Sequence, residues 1–172
     1  MLTFIADEAH YDVVLNLAAR ARQTLWFGTA DVKDLYVNRG GVRMPFVGLL
    51  SALVERGVAV RLIHAKRPGL PFRQDWARYP LLGRYVERLL CPRVHFKLVV
   101  IDSLLCYVGS ANLTGAGVGM KSPRRRNFEA GLLTDEPGVV AAAMEEFDKV
   151  WRGAECPSCQ RRQFCPHPVR VG

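Results

Sequence analysis

Apolar runs are short throughout this chain. None approaches the roughly 20 residues that a membrane-spanning helix needs. The first residues, with acids at Asp7 and Glu8, show no basic segment leading into a long apolar stretch, so no secretory signal is legible. The expectations are a cytoplasmic location and no transmembrane segment. Internal repeats and low-complexity tracts are also lacking, which leaves no solenoid to consider. Acids are in short supply: 16 Asp and Glu stand against 24 Lys and Arg, a formal charge of +8. That excess favours a polyanionic partner, nucleic acid first and an anionic membrane surface second, although many basic proteins bind neither. Cysteine is sparse until the end, with Cys91 and Cys106 alone before three more crowd into the last 17 residues. An odd number clustered in this way in a cytosolic chain suggests metal ligation rather than a disulfide framework.

What is present describes an ordinary globular protein. At 172 residues, 49% apolar and 23% charged, the chain suffices for one compact domain with a real core. Periodicity predicts a helix over 7–23, a strand over 24–30, a loop over 31–43 containing Gly40 and Gly41, and a helix over 44–56 stopped by Gly57. A strand over 58–63 opens into a basic loop. Residues 73–90 read as helical, kinked or divided at Pro80. Strands follow over 94–101, 105–108 and 127–133, and a strong helix over 136–151. Helices interleaved with strands predict an α/β fold, a mixed β-sheet flanked by helices on both faces. The helical period ends near Gly153, dividing a catalytic domain, 1–152, from a short Cys/His-rich tail, 153–172.

The strand 94–101 carries the chemistry. Residues two apart in a strand share a face, so His95 and Lys97 project side by side. A polar pair opening an otherwise apolar strand carries a desolvation cost, which implies an anionic ligand. If Ser103 and Leu104 form a two-residue turn, Asp102 pairs with Leu105, Lys97 faces Ser110, and His95 faces Asn112. A longer turn slips this register by one, and Ser-Leu is not a favoured pair for such a turn. Either way the segment 109–112 arrives beside the pair, with Gly109 allowing close backbone approach to a phosphate. These groups suit phosphoryl transfer, with His95 as covalent nucleophile and donors spread over the non-bridging oxygens. Asn127 and Glu129 repeat the same-face spacing, and Glu129 is expected to accept a hydrogen bond from the second imidazole nitrogen.

The pattern His95-x-Lys97-x4-Asp102-x6-Gly109-Ser110-x-Asn112 resembles the HKD signature of the phospholipase D superfamily, and Asn127-x-Glu129-x-Gly131 resembles its accompanying glutamate strand. The resemblance covers residues 5–151, and its specificity lies in 95–131. It implies a phosphohistidine on His95 and a second His95 that protonates the leaving oxygen. Lys97 and Asn112 would hold phosphoryl oxygens with help from Ser110, Glu129 would orient the imidazole, and Asp102 would be structural. No catalytic metal is implied. The superfamily needs two such motifs per site and this chain has one, so the resemblance also implies a two-fold homodimer, with pairing to another HKD chain as the alternative. The best-matching relatives are its short single-motif endonucleases and the Zucchini-type mitochondrial enzymes.

Other features carry two readings each. A direct role for Ser110 stands beside a purely structural one. Lys121, Arg124, Arg125 and Arg126 lie between the Asn112 loop and the Glu129 strand, either as phosphate contacts at the rim of the site or as a solvated loop. His64, Lys66, Arg67 and Arg73 are weaker rim candidates. Trp26, Trp76 and Trp151 read as core residues rather than base-stacking platforms. Cys156, Cys159, Cys165 and His167 have the composition of a structural zinc knuckle, against free thiols or a disulfide. Arg161, Arg162 and Arg170 make the tail basic. The functional expectation is a nuclease. A phospholipase D or cardiolipin-type lipid phosphodiesterase and a catalytically silent nucleic-acid-binding module are the alternatives.

Overall fold

The computed structural model describes residues 1–33 and 35–167. Its centre is a seven-stranded mixed sheet in the order β1-β9-β8-β7-β2-β5-β6. The strands are β1 (Leu2–Ala6), β2 (Thr24–Thr29), β5 (Ala59–His64), β6 (Val86–Leu90), β7 (Lys97–Ile101), β8 (Leu105–Gly109) and β9 (Ala130–Thr134). The pairs β2–β5 and β5–β6 are parallel; the other ladders of this sheet are antiparallel. A separate hairpin joins β3 (Tyr36–Arg39) to β4 (Val42–Pro45).

Alternation along the central strands divides the core between two faces. Leu25, Phe27, Leu62, Val99 and Ile101 face one side, covered by the helical segment 10–18 and by α2 (Phe46–Glu55), whose Phe46, Leu49, Leu50 and Leu53 are buried. Trp26, Ile63, Leu98 and Val100 face the other, under Val140, Ala143 and Phe147 of α5 (Pro137–Trp151). The Phe147 ring stacks between Trp26, at 5.0 Å, and Trp151, at 5.9 Å. The Glu136 side chain caps α5 by accepting from the Val139 amide at 2.9 Å. Trp76 packs against the first core, so all three tryptophans are packing residues. Among the described residues, no helix is long and apolar enough to cross a membrane.

Several local expectations need correction. The edge strand β1 was not legible, because Leu2 and Phe4 point to an open face and leave Ile5 as its buried apolar residue. The region read as a loop over 31–43 contains the β3–β4 hairpin; Gly40 and Gly41, at φ of 59° and 82°, form its two-residue turn. The helix expected over 73–90 is α3 (Leu70–Ala77), then α4 (Pro80–Tyr85), then β6, since Val86 is drawn into the core as the strand pairs with β5. The first helix is short, a π-turn at His10–Leu15 running into α1 (Asn16–Ala18).

The β7–β8 register is also one residue away from the two-residue-turn expectation. Ile101 pairs with Leu105 and Lys97 with Gly109, so Asp102, Ser103 and Leu104 form a three-residue turn. Asp102 and Ser103 take φ of 53° and 57°. The Asp102 carboxylate repays that conformation by accepting from the amides of Arg22, Gln23 and Thr24 at 2.7–3.0 Å.

Candidate active site

Lys97 opens β7 and is 8% exposed. Its neighbour Gly109 lies on β8. On the other side Leu98 pairs with Gly28, so the next position brings Thr29, which itself pairs with His64. The side chains of Lys97, Thr29 and His64 therefore line up on one face at one end of the sheet. Lys97 Nζ donates to the His95 carbonyl at 2.7 Å and to His95 Nδ1 at 3.1 Å. Burial lowers the Lys97 pKa, and the negative charge of Glu129 opposes that shift. An ammonium only donates, so His95 Nδ1 is the acceptor here. His95 itself is exposed to solvent.

Close packing holds this pair in place. A Cβ at Gly28 would run into the ring of Phe96, the residue between His95 and Lys97. The bare backbone of β2 thus seats Phe96 on the α5 side and turns its two polar neighbours toward the opposite side. Gly109 has a comparable reason to lack a side chain, and it differs from the expected one. A Cβ there would meet the Tyr107 hydroxyl and the Ala130 carbonyl, so close packing within the sheet by itself requires a glycine here.

Asn112 is oriented by Thr29 and Asp31, two residues that the sequence reading missed. Its Oδ1 accepts from the Asp31 amide at 3.1 Å and lies 3.2 Å from Thr29 Oγ1. A backbone N–H can only meet the oxygen, so the Asn112 amide nitrogen keeps its two hydrogens for another partner. The available signal was a threonine ending a strand that is otherwise apolar, a position where α/β sheets place ligand-binding groups.

Glu129 does not contact His95 within the chain. One carboxylate oxygen accepts from Asn127 Nδ2 at 3.0 Å and the other from the Ser110 hydroxyl. Ser110 Oγ also accepts from the Ala130 amide at 3.0 Å, so this side chain ties the end of β8 to the start of β9. Asp7 supports Glu129 from the other side, accepting from its amide at 3.2 Å and donating to its carbonyl at 3.0 Å. The expected imidazole–carboxylate bond is therefore replaced here by Lys97 on Nδ1 and by a Ser110–Glu129–Asn127 chain. Asp102 lies at the other end of β7, where its carboxylate serves the turn described above.

The basic residues fall into two groups. Lys121, Arg124 and Arg125 are exposed and, among the described residues, make no ion pair. Arg126 is committed to Glu8 at 2.6 Å. A second group was partly missed: Lys33, Lys66 and Arg67 line an open cleft of about 470 Å³ with Asp31, whose backbone holds Asn112. Lys33 and Lys66 lie 3.6 and 3.7 Å from the Asp31 carboxylate. His64 does not join this rim. It is buried, its Nδ1 bonds the Lys66 carbonyl at 2.8 Å, and burial pushes its pKa down to about 4, leaving it neutral near pH 7.

The tail does not form the expected knuckle. Among the described residues, no three His, Cys, Asp or Glu side chains converge closely enough to hold a metal. His167 Nδ1 accepts from the Leu90 amide at 3.3 Å, and the Cys165 thiol donates to the Leu90 carbonyl at 3.8 Å. Cys156 and Cys159 face a pocket shared with Cys91. Arg170 lies outside the described residues.

A family model described as cardiolipin synthase, PLD-like domain, matches residues 14–151, most of the chain. This protein belongs to the phospholipase D superfamily. Several solved structures share its fold. NucT from Helicobacter pylori superposes with a TM-score of 0.60 at 17% identity, over 87% of this chain and 95% of that one. Nuc from Salmonella typhimurium, a phospholipase D family member, gives 0.60 at 18% identity over 88% and 93%. Phosphatidylserine synthase from Haemophilus influenzae gives 0.59 at 16% identity, over 87% of this chain and 38% of the larger enzyme. No curated protein matches the sequence. Within this superfamily fold, the His95–Lys97 pair and the outward Asn112 amide occupy one end of the sheet.

Proposed function

We propose that this protein is a metal-independent phosphodiesterase that cleaves nucleic-acid phosphodiester bonds through a phosphohistidine, at a site completed by two copies of the chain. The observation that carries the reading is the contact of Lys97 Nζ with His95 Nδ1 beside an Asn112 amide held open for a ligand. An arriving phosphate offers Lys97 an anionic oxygen, a stronger acceptor than imidazole or carbonyl, and frees Nδ1. The proton can then reside on Nδ1, leaving Nε2 as the nucleophile. Nε2 attacks phosphorus as the bond to the leaving oxygen breaks, and the partner subunit's His95 gives that oxygen its proton. The same partner imidazole then takes a proton from water, whose oxygen attacks phosphorus and releases Nε2. Lys97 and Asn112 spread the charge that develops on the non-bridging oxygens. Glu129 and Ser110 hold the β8–β9 corner of the site.

The distribution of positive charge supports the substrate. Lys121, Arg124 and Arg125 beside Asn127, and Lys33, Lys66 and Arg67 beside Asp31, suit the flanking phosphates of a polymer. Phe4, Leu132 and Val108 form an exposed apolar row across β1, β9 and β8 on the α5 side of the sheet, the face opposite Lys97, so the pairing rests on the single His95–Lys97 motif and not on this row. NucT and Nuc are structural neighbours of nearly the same length as this chain.

Single- and double-stranded DNA and RNA incubated with the full chain in excess EDTA test the reading. Cleavage that is lost in His95→Ala is expected. Equal behaviour of the two proteins, activity restored only by added magnesium, or full turnover by a strictly monomeric species would overturn it. One observation favours a lipid substrate instead: Phe128, between Asn127 and Glu129, is 93% exposed. Release of phosphatidic acid from vesicles, with no cleavage of nucleic acid, would move the assignment there.

A further inference from the structure

The four cysteines outside the buried Cys106 lie together, although one of them is far from the others in sequence. Cys91 follows β6. Its amide donates to the His64 carbonyl at 3.0 Å, and its carbonyl accepts from Val94 at 3.0 Å, closing the turn that leads directly into His95. Cys156 and Cys159 approach from the tail and, with Cys91, line a pocket of about 160 Å³ beneath the end of α5. Cys165 reaches the carbonyl of Leu90, the residue before Cys91.

The tail has no other evident reason to be ordered. Beyond Trp151 its backbone bonds are local turns, including Cys159 N–H to the Cys156 carbonyl at 3.3 Å, and its one large apolar side chain, Phe164, is 61% exposed. A segment this short without a core needs a staple. His167, the ligand expected from composition, is the weaker fourth candidate, because its Nδ1 is engaged by the Leu90 amide. Arg93, Lys149, Glu146 and Glu155 border the same pocket, with Lys149 ion-paired to both carboxylates at 3.8–3.9 Å.

We propose that Cys91, Cys156, Cys159 and Cys165 together bind a thiophilic metal centre that pins the tail to the turn preceding His95. As placed, no three such side chains among the described residues form a group that could hold a metal ion, so binding requires movement of side chains within the pocket that Cys91, Cys156 and Cys159 share. Four thiolates suit either a structural zinc ion or an iron–sulfur cluster. Val94 and Phe96 line the pocket as well, so the centre would brace both neighbours of His95 without entering the chemistry.

The test is metal and acid-labile sulfide analysis of the full chain, purified without oxygen from cells supplied with zinc and iron. The expected result is about one zinc ion per chain, or iron with sulfide and visible absorption. Cys91→Ser should lower bound metal at least roughly tenfold. His167→Ala should leave it unchanged. A wild-type protein without metal, or with its thiols in disulfides, overturns the proposal. So does metal retained in Cys91→Ser and lost in His167→Ala. If Cys91→Ser does not fold, cobalt(II) bound to the wild-type chain decides: four-thiolate charge-transfer bands support the site, and three-thiolate bands sink it. Activity is not the readout, so failure here leaves the nuclease reading intact.

Discussion

The two ends of β7 place polar side chains in opposite circumstances. At one end the Asp102 carboxylate is consumed by the protein itself, accepting from three successive backbone amides of residues 22–24. At the other end Lys97 is mostly buried yet spends its ammonium on its own neighbour, His95, while the Asn112 amide nitrogen is left with hydrogens to give. Burying a cation costs free energy unless it is fully paired. The end that leaves donors open is the one where the proposed function puts the ligand. The difference teaches how to tell a carboxylate that serves the fold from polar groups that suit a ligand: by asking which end still has hydrogens to give.

That contrast can be broken by experiment. His95→Ala should lower turnover by roughly 10³-fold or more while leaving the melting temperature within about 2 °C, because the side chain is exposed. An active His95→Ala protein would erase the distinction between the ends. Lys97→Met should cost roughly 10²- to 10³-fold in kcat, with thermal stability unchanged or higher, since a costly buried charge is replaced by an apolar chain. A large fall in stability would show that the ammonium is structural after all.

Asp102→Ala should do the reverse, lowering stability by about 2 kcal/mol in denaturant titration with little change in kcat. Its pH dependence has a definite sign. Burial raises the Asp102 pKa, but the amides of Gln23, Thr24 and Arg22 outweigh it, and the folded carboxyl titrates below its ordinary range. Its stabilisation is therefore complete above the unfolded value near about 3.9 and is lost as pH falls through the lower folded value. Wild type and variant should converge in stability only in that acid range. The smallest expected effect belongs to the rim: replacing Arg124 and Arg125 with Gln should flatten the salt dependence of nucleic-acid binding by about 1.4–1.8 in log–log slope, leaving kcat unchanged. No change in slope would mark the loop as merely solvated.

Much of the fold was legible because buried central strands and amphipathic helices carry strong periods. The apolar run of β7 and the one-sided pattern of α5 are examples. β6 was not, because a segment that would suit a helix alone becomes a strand once β5 offers a parallel edge. The typed spacing from His95 to Asn112 was equally legible, since same-face geometry in a strand is local. The partners of Asn112 were not: Thr29 and Asp31 stand more than 80 positions away. Nor was the occupation of Glu129 by Ser110 and Asn127, which depends on how β8 meets β9.

The sequence by itself determined the superfamily pattern, the basic charge and the identity of the His95–Lys97 pair that leads into β7, because all of these reside in residue types and short spacings. Only the tertiary structure decided the one-residue shift of the β7–β8 register, the seating of Phe96 on Gly28, and the approach of Cys91 to the tail cysteines. Those outcomes follow from which surfaces close against each other across the sheet, and close packing between distant segments leaves no local trace.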